Sequence, residues 1–422
     1  MKSIINFLKR VQNKILKESS KYSLLVDAFI KYGYKSAYHL DCEQKALIKG
    51  EWSLVKLCFE RKIQSMSSKK NSTVCRVYFY IVNDANTFED ILNFVKKEKH
   101  EIKYNELESL YLYCKYFHDL RIALFLREIL IKRMVDRNKN TFYSTKKSIN
   151  AAIEAHQYKL ANKLLNNKVR LFGASYYNCA DRVVNVSTKC NLKHIKSKDL
   201  DFYKYISGKT VAIVGPGIPI DQPGEEIDSY DIVVRTNYRD KSNYPIEKFG
   251  KRTDVSYYNH YRITSFLSEV IKASSEIIWT ILKNDSAKNI LDTGITGNFS
   301  YNSRSMDTVI PLFFLDSQPM SIPNVLEDII RFNPLSVKLF CVNFYNSKSN
   351  YSDHYKKTIP YDMGVQIKAI RIHEPFANFS FVKGYYERNL IDVDNLTKET
   401  LELSVEEYAA SLHNIFGPKG IA

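Results

Sequence analysis

A glycine turn, an Arg-x-Asn pair and two late histidines are the residues of this chain best suited to chemistry. Gly215-Pro216-Gly217 follows the apolar run Val211-Ala212-Ile213-Val214. A β-strand feeding a Gly-x-Gly turn is how α/β proteins bring backbone N–H groups close to a phosphate. A dinucleotide fingerprint would need a third glycine at position 220 and an acid at the end of the second strand, but the chain has Ile220 and Arg235 there. The ribose-binding carboxylate is missing, which argues against a dehydrogenase. Arg235 and Asn237, at a strand's C-terminal edge, suit an anionic, nucleotide-like ligand instead. His354 and His373 each open a turn after a strand-like run, and imidazole is the side chain that titrates near neutral pH.

Two compositional regimes must position these residues. From 1 to 170 the apolar spacing is of the three-four kind, as in FEDILNFVKKE and DLRIALFLREILIKRMV, and proline is absent, which predicts helices joined by polar turns. GEWSLVKLCFE, HDLRIALFLRE and HQYKLANKLLN share a rhythm at a spacing of about 34 to 38 residues, which fits either a degenerate helical-repeat array or an irregular helical domain. From 171 to 422 β-rich runs alternate with helical ones: VAIVG, DIVVRTN, SEIIWTIL, DTVIPLFFL, VKLFCVNFY and IKAIRIHEP. That alternation predicts an α/β domain with a mostly parallel, doubly wound sheet of Rossmann-like type.

The 422 residues suffice for two or three domains. The net charge of +16 favours acidic partners such as anionic lipid, a polyanionic glycan or a nucleotide phosphate. Lys and Arg are scattered with no block resembling a nucleic-acid arm, so no nucleic-acid partner is expected. Seven widely spaced cysteines with no Cys-x-x-Cys argue against disulfides or zinc and for a reducing, cytoplasmic compartment. Residues 1–19 carry the stripe Ile4, Ile5, Leu8, Val11, Ile15 and Leu16 among lysines, which suits either an anionic membrane interface or packing on the next helix.

The stretch after Val214 resembles the L-motif of the sialyltransferases of glycosyltransferase family 29. That motif reads Val-Gly-Asn-Ser/Gly, then Glu-Ile-Asp-x-His-Asp-x-Val-x-Arg-x-Asn, then Glu-x-x-Val-Gly-x-Arg-Thr. This chain has Val214-Gly215-Pro216-Gly217, then Glu226-Ile227-Asp228-Ser229-Tyr230-Asp231-Ile232-Val233-Val234-Arg235-Thr236-Asn237, then Glu247-Lys248-Phe249-Gly250-Lys251-Arg252-Thr253. Ser321-Ile322-Pro323-Asn324 and the segment to Phe344 look like a degraded S-motif. His354-Tyr355-Lys356 is similar to motif III, and His373-Glu374-Pro375-Phe376-Ala377-Asn378 to the last motif. The resemblance covers about Thr210 to Asp394 and leaves the helical first part outside it.

The resemblance implies a metal-independent, inverting glycosyltransferase with no cofactor. Its donor would be a CMP-activated acidic sugar (sialic acid, a related nonulosonic acid or Kdo), and its acceptor a surface glycan or glycolipid at the inner face of the plasma membrane. By resemblance His373 is the base and His354 a phosphate ligand. Gly215, Pro216, Gly217, Arg235, Asn237 and Asn324 would line the nucleotide site. Arg235 and Asp231 could instead form a structural ion pair. Pro216 replaces the motif's asparagine, Asn324 its glycine, and Asn378 stands near an expected acid. These departures leave open a different activated donor on the same scaffold, or a non-enzymatic scaffold with a decayed site.

Overall fold

The computed structural model describes residues 72–136 apart from 84, 142–167, 174–185, 197–239, 245–259, 266–282, 302–306, 319–348 and 373–417, with a few single positions besides. The chain forms two compact units: one holds the described helices up to Leu130, and the other runs from Ile131 and carries the sheet.

In the first unit lie α1 (Thr73–Ile81), α2 (Phe88–Glu98), α3 (Tyr104–Phe117) and the greater part of α4 (Leu120–Asp136). Local chemistry sets their starts. Thr87 and Asp90 close a capping box on α2, the Asp90 amide donating to Thr87 Oγ1 at 3.2 Å and the Thr87 amide to Asp90 Oδ2 at 3.0 Å. Glu106 accepts from the Lys103 amide at 2.8 Å and opens α3 in the same way. The apolar stripes then bury Ile91, Val95, Leu107, Leu110, Cys114 and Leu126.

The second unit opens with α5 (Phe142–Glu154), α6 (Tyr158–Asn166), α7 (Ala174–Asn185) and α8 (Leu200–Ile206). Its later helices are α9 (Gly224–Ser229), α10 (Ile246–Phe249), α11 (Leu267–Ser274), α12 (Ser321–Ile330), α13 (Pro375–Glu387), α14 (Asn395–Glu402) and α15 (Val405–Phe416). The helices of residues 142–166, grouped by sequence with the N-terminal region, pack within this sheet-bearing unit, as does α7. Asn150 Nδ2 donates to the Phe313 carbonyl at 3.0 Å, Arg182 Nε to Glu327 at 3.0 Å, and the Arg388 guanidinium lies 4.0 Å over the Tyr158 ring. Of the three repeat-like segments, HDLRIALFLRE and HQYKLANKLLN thus fall in different units, and GEWSLVKLCFE lies outside the described residues apart from single positions.

Seven strands form an all-parallel sheet: β1 (Thr210–Val214), β2 (Ile232–Thr236), β3 (Val255–Tyr258), β4 (Trp279–Leu282), β5 (Asn302–Ser305), β6 (Ser336–Phe340) and β7 (Asp392–Val393). The order is β5-β4-β3-β2-β1-β6-β7, so the chain winds outward from β1 in one direction and then returns to its other side. Val211 pairs with Ile232 on one flank and Val337 on the other. A central strand covered on both faces reads as continuous β-branched and apolar residues, and Val211 to Val214 are all buried. Ala212, Val214, Ile227, Val233, Phe249 and Phe340 make the core beside it.

Three strands, β3, β5 and β7, were absent from the sequence expectation; β3 is a four-residue run, Val-Ser-Tyr-Tyr, interrupted by a serine. β5 reads Asn-Ser-Arg-Ser and has no apolar signature. It is nonetheless an edge strand whose Arg304 is buried by ion pairs to Asp199 and Asp328 and against the Phe202 and Phe332 rings. β7 has only two residues. The runs DTVIPLFFL and IKAIRIHEP lie largely outside the described residues.

Candidate functional site

Every strand is parallel, so all carboxyl ends lie along one edge of the sheet. The winding reverses between β1 and β6, and in open α/β sheets that reversal leaves a crevice at the carboxyl edge where ligands bind. The Gly215-Pro216-Gly217 turn leaves β1 there. Its glycines answer first to the fold: a Cβ on either would stand 2.6 Å from the Cys341 carbonyl oxygen at the end of β6. The Gly215 amide donates to Phe340 O at 2.8 Å and the Gly217 amide to Cys341 O at 2.9 Å. Both amides, expected to hold the nucleotide, are thus engaged across the sheet by carbonyls at the end of β6. Pro216, half-buried between them, brings no N–H.

The remaining motif residues form one hydrogen-bonded lattice. Arg235 is 3 % exposed. It donates from Nε to Thr253 Oγ1 at 2.8 Å and from its terminal nitrogen to the Arg252 carbonyl at 3.0 Å and to the Phe249 carbonyl. Its guanidinium, expected against a ligand, is thus held within the fold by these carbonyls and the Thr253 hydroxyl. Asp228 accepts from the Lys251 and Arg252 amides, both at 2.9 Å. Arg252 in turn donates to the carbonyls of Asp228, Tyr230 and Asp231 and to Asp254. Asp231 accepts from the Thr210 amide at 2.9 Å, and that bond holds its carboxyl below the usual range. The alternative Arg235–Asp231 ion pair is replaced by these separate partners.

Asn237 stands at the carboxyl edge itself. It ends β2 in the left-handed region at φ 53°, and its Oδ1 accepts from the Asn259 amide at 3.2 Å, linking the ends of β2 and β3. Asn324 lies in the first turn of α12, where Nδ2 donates to the Met320 carbonyl at 3.1 Å, and it is 2 % exposed. That buries it in its own helix start instead of facing it toward a nucleotide.

A parallel crossover brings helix starts to the same edge, because α12 leads into β6 and α13 into β7. His373 is half-buried just before α13. Glu374 sits at the N-cap and Pro375 at the first helical position, where the missing amide costs nothing. Asn378 ties the two helix starts together: its Oδ1 accepts from the Met320 amide at 2.8 Å and its Nδ2 donates to the Glu374 carbonyl at 2.6 Å. His354 lies outside the described residues, as do residues 1–19.

Sequence reasoning missed the loop that leaves β6. Cys341, Phe344 and Tyr345 all take left-handed backbone, at φ 59°, 48° and 66°. Such conformations cost non-glycine residues roughly 1–3 kcal/mol each and persist only where surroundings impose them. The surroundings are Asp394, which accepts from the Cys341 amide at 2.7 Å, Thr397 on the Val342 amide at 3.2 Å, and Tyr408, whose hydroxyl donates to the Phe344 carbonyl at 2.7 Å. Burial pushes the Asp394 carboxyl up, with Asp221 adding to it, against the donors from Thr397 and Cys341. Only Asn343 and Asn346, turn-forming residue types, signal this loop in sequence.

The carboxyl edge thus carries Asn237, the strained loop after β6, the starts of α12 and α13 and, just before α13, His373. No protein-family model matches this chain, and no similar protein is found among curated ones. Among the described residues no helix is long and apolar enough to cross a membrane.

Proposed function

We propose that the chain is a metal-independent, inverting glycosyltransferase of the sialyltransferase type, with a Rossmann-like, doubly wound sheet. Its donor is a CMP-activated acidic sugar: sialic acid, a related nonulosonic acid or Kdo. The acceptor is a surface glycan or glycolipid, met in the cytoplasm at the inner face of the plasma membrane, with residues 1–19 on anionic lipid. What most supports this reading is the crevice at the β1–β6 reversal, where the motif-bearing turn meets a loop held in left-handed backbone. Strain of that kind collects at ligand sites.

In this reading His373 takes the proton of the acceptor hydroxyl as its oxygen attacks the anomeric carbon. The bond from that carbon to the phosphate oxygen breaks and CMP leaves, its charge met by hydrogen-bond donors such as His354. Helix starts at the same edge favour an arriving phosphate.

A second reading, another activated donor on the same scaffold, is favoured by the engagement of the Gly215 and Gly217 amides within the fold. Thermal shift with CMP, CDP, UDP and GDP separates the two, because only the true leaving nucleotide stabilises the protein strongly. CMP-sugar turnover by the wild type should fall about 10²- to 10⁴-fold in His373→Ala, with folding and nucleotide binding kept. Wild-type turnover in that variant would remove His373 as the base, and stabilisation by no nucleotide would leave a non-enzymatic scaffold.

A further inference from the structure

We infer that Asn378 is a positioning residue for His373, an inference that rests on the glycosyltransferase reading for its kinetic part only. Asn378 is fully buried, and its two ends do different jobs. Oδ1 takes the Met320 amide, at the entrance to α12, and Nδ2 holds the Glu374 carbonyl, the peptide oxygen that follows His373. The Met320 carbonyl is in turn held by Asn324. Two helix starts from opposite sides of β6 in the chain are thereby locked at one spacing, and His373 enters α13 from the locked end. The task needs an acceptor and a donor on one short, planar side chain. A carboxylate could keep the first contact but would face the Glu374 carbonyl with a lone pair. Protonated, it could make both.

That difference supplies the test. The full chain carries nine histidines. With histidine ring carbons labelled, the His373 NMR signal is identified by its loss in His373→Ala. It is then followed with pH in wild type, Asn378→Asp and Asn378→Ala. Among the described residues the titratable groups beside the clamp are His373 and Glu374, with Tyr408 electrostatically influenced by Glu374. All three are present in every Asn378 variant, so the difference from wild type isolates position 378.

In Asn378→Asp the His373 signal should be displaced at alkaline pH and rejoin the wild type as the new carboxyl protonates, above the ordinary carboxylate range because the site is fully buried and faces a carbonyl. Asn378→Ala should stay displaced throughout. If Asn378→Ala does not fold, the isosteric Asp variant carries the comparison alone. In turnover, kcat of Asn378→Asp should fall roughly tenfold to a hundredfold at about pH 8, with donor KM changed less than about twofold. The kcat gap should close in acid along with the NMR difference. His373 signals that superimpose in all variants, or a displacement indifferent to pH, would overturn the inference. A wild type that turns over no CMP-sugar sinks the glycosyltransferase reading, and the NMR comparison still decides the clamp.

Discussion

Gly217→Ala should destabilise the sheet-bearing unit by about 2–4 kcal/mol with no ligand present. The new Cβ would lie 2.6 Å from the Cys341 carbonyl oxygen, 3.1 Å from its carbon and 3.3 Å from Leu396 Cδ2. The Cys341 peptide cannot easily give way, because its amide is held by Asp394 at 2.7 Å. Overpacking of this kind costs about 1–3 kcal/mol. Moving the turn also stretches the 2.9 Å bond from the Gly217 amide to the same oxygen, a loss of about 1 kcal/mol. Gly208→Ala is the control: it stands at φ +72° with nothing within 4 Å of the new methyl. It should cost only the left-handed backbone term of about 1–2 kcal/mol. Urea unfolding in a Trp52→Phe background reads the unit directly, since Trp279 in β4 is then the lone tryptophan. A Gly217→Ala loss no larger than that of Gly208→Ala would refute the reasoning and return the turn to a ligand-binding role.

Two further perturbations test the buried charges. Arg235→Met strips donors from the Arg252 and Phe249 carbonyls and from Thr253 and should cost about 2–4 kcal/mol. Nucleotide affinity, measured by calorimetry on the folded variant, should be unchanged; a tenfold weaker Kd would put Arg235 on the ligand after all. Burial alone would push Asp328 up, but Arg304 at 2.6 Å and Arg331 at 2.9 Å more than offset it and hold the carboxyl at about 2. The folded value lies below the unfolded one of about 3.9, so this carboxylate contributes about 2 kcal/mol above pH 4, lost as pH falls through about 2. Arg304→Met should cost about 3–5 kcal/mol at neutral pH. Burial then dominates Asp328, so the deficit should shrink on acidification from pH 7.5 to 4.5. Urea midpoints at those two pH values that show a constant or widening gap would contradict this.

The fold class was legible because β1, β2, β4 and β6 are apolar runs between helical ones, and burial on both faces of a parallel sheet demands that composition. β5 was illegible because its burial is ionic: Arg304 is held by Asp199 from before β1 and Asp328 from α12, partners distant in sequence. Helices α5 and α6 carry the same periodicity as the N-terminal ones, and α7 lies where that pattern weakens; periodicity does not say which core a stripe meets. The contacts that assign them, such as Arg182 with Glu327, span 145 positions. His373 could be picked by residue type alone, but its setting depends on Asn378 and Met320, 58 positions apart.

The motif that suggested a donor site turns out to bond largely to itself. Asp228 with the 251–252 amides, Asp231 with Thr210, Arg252 with the carbonyls of 228 to 231, and Arg235 with 249 to 253 together hold the β1–β2–β3 ends in register. A chain keeping these residues keeps this corner of an α/β sheet whether or not it binds a ligand there. These residues therefore account for the geometry of this corner of the sheet and do not by themselves specify a donor. On the proposed glycosyltransferase reading, donor choice would rest on groups of the carboxyl edge outside the lattice: Asn237, the Cys341–Asn346 loop and His373. Substitutions among those positions should change which nucleotide stabilises the protein, whereas substitutions within the lattice should change stability alone.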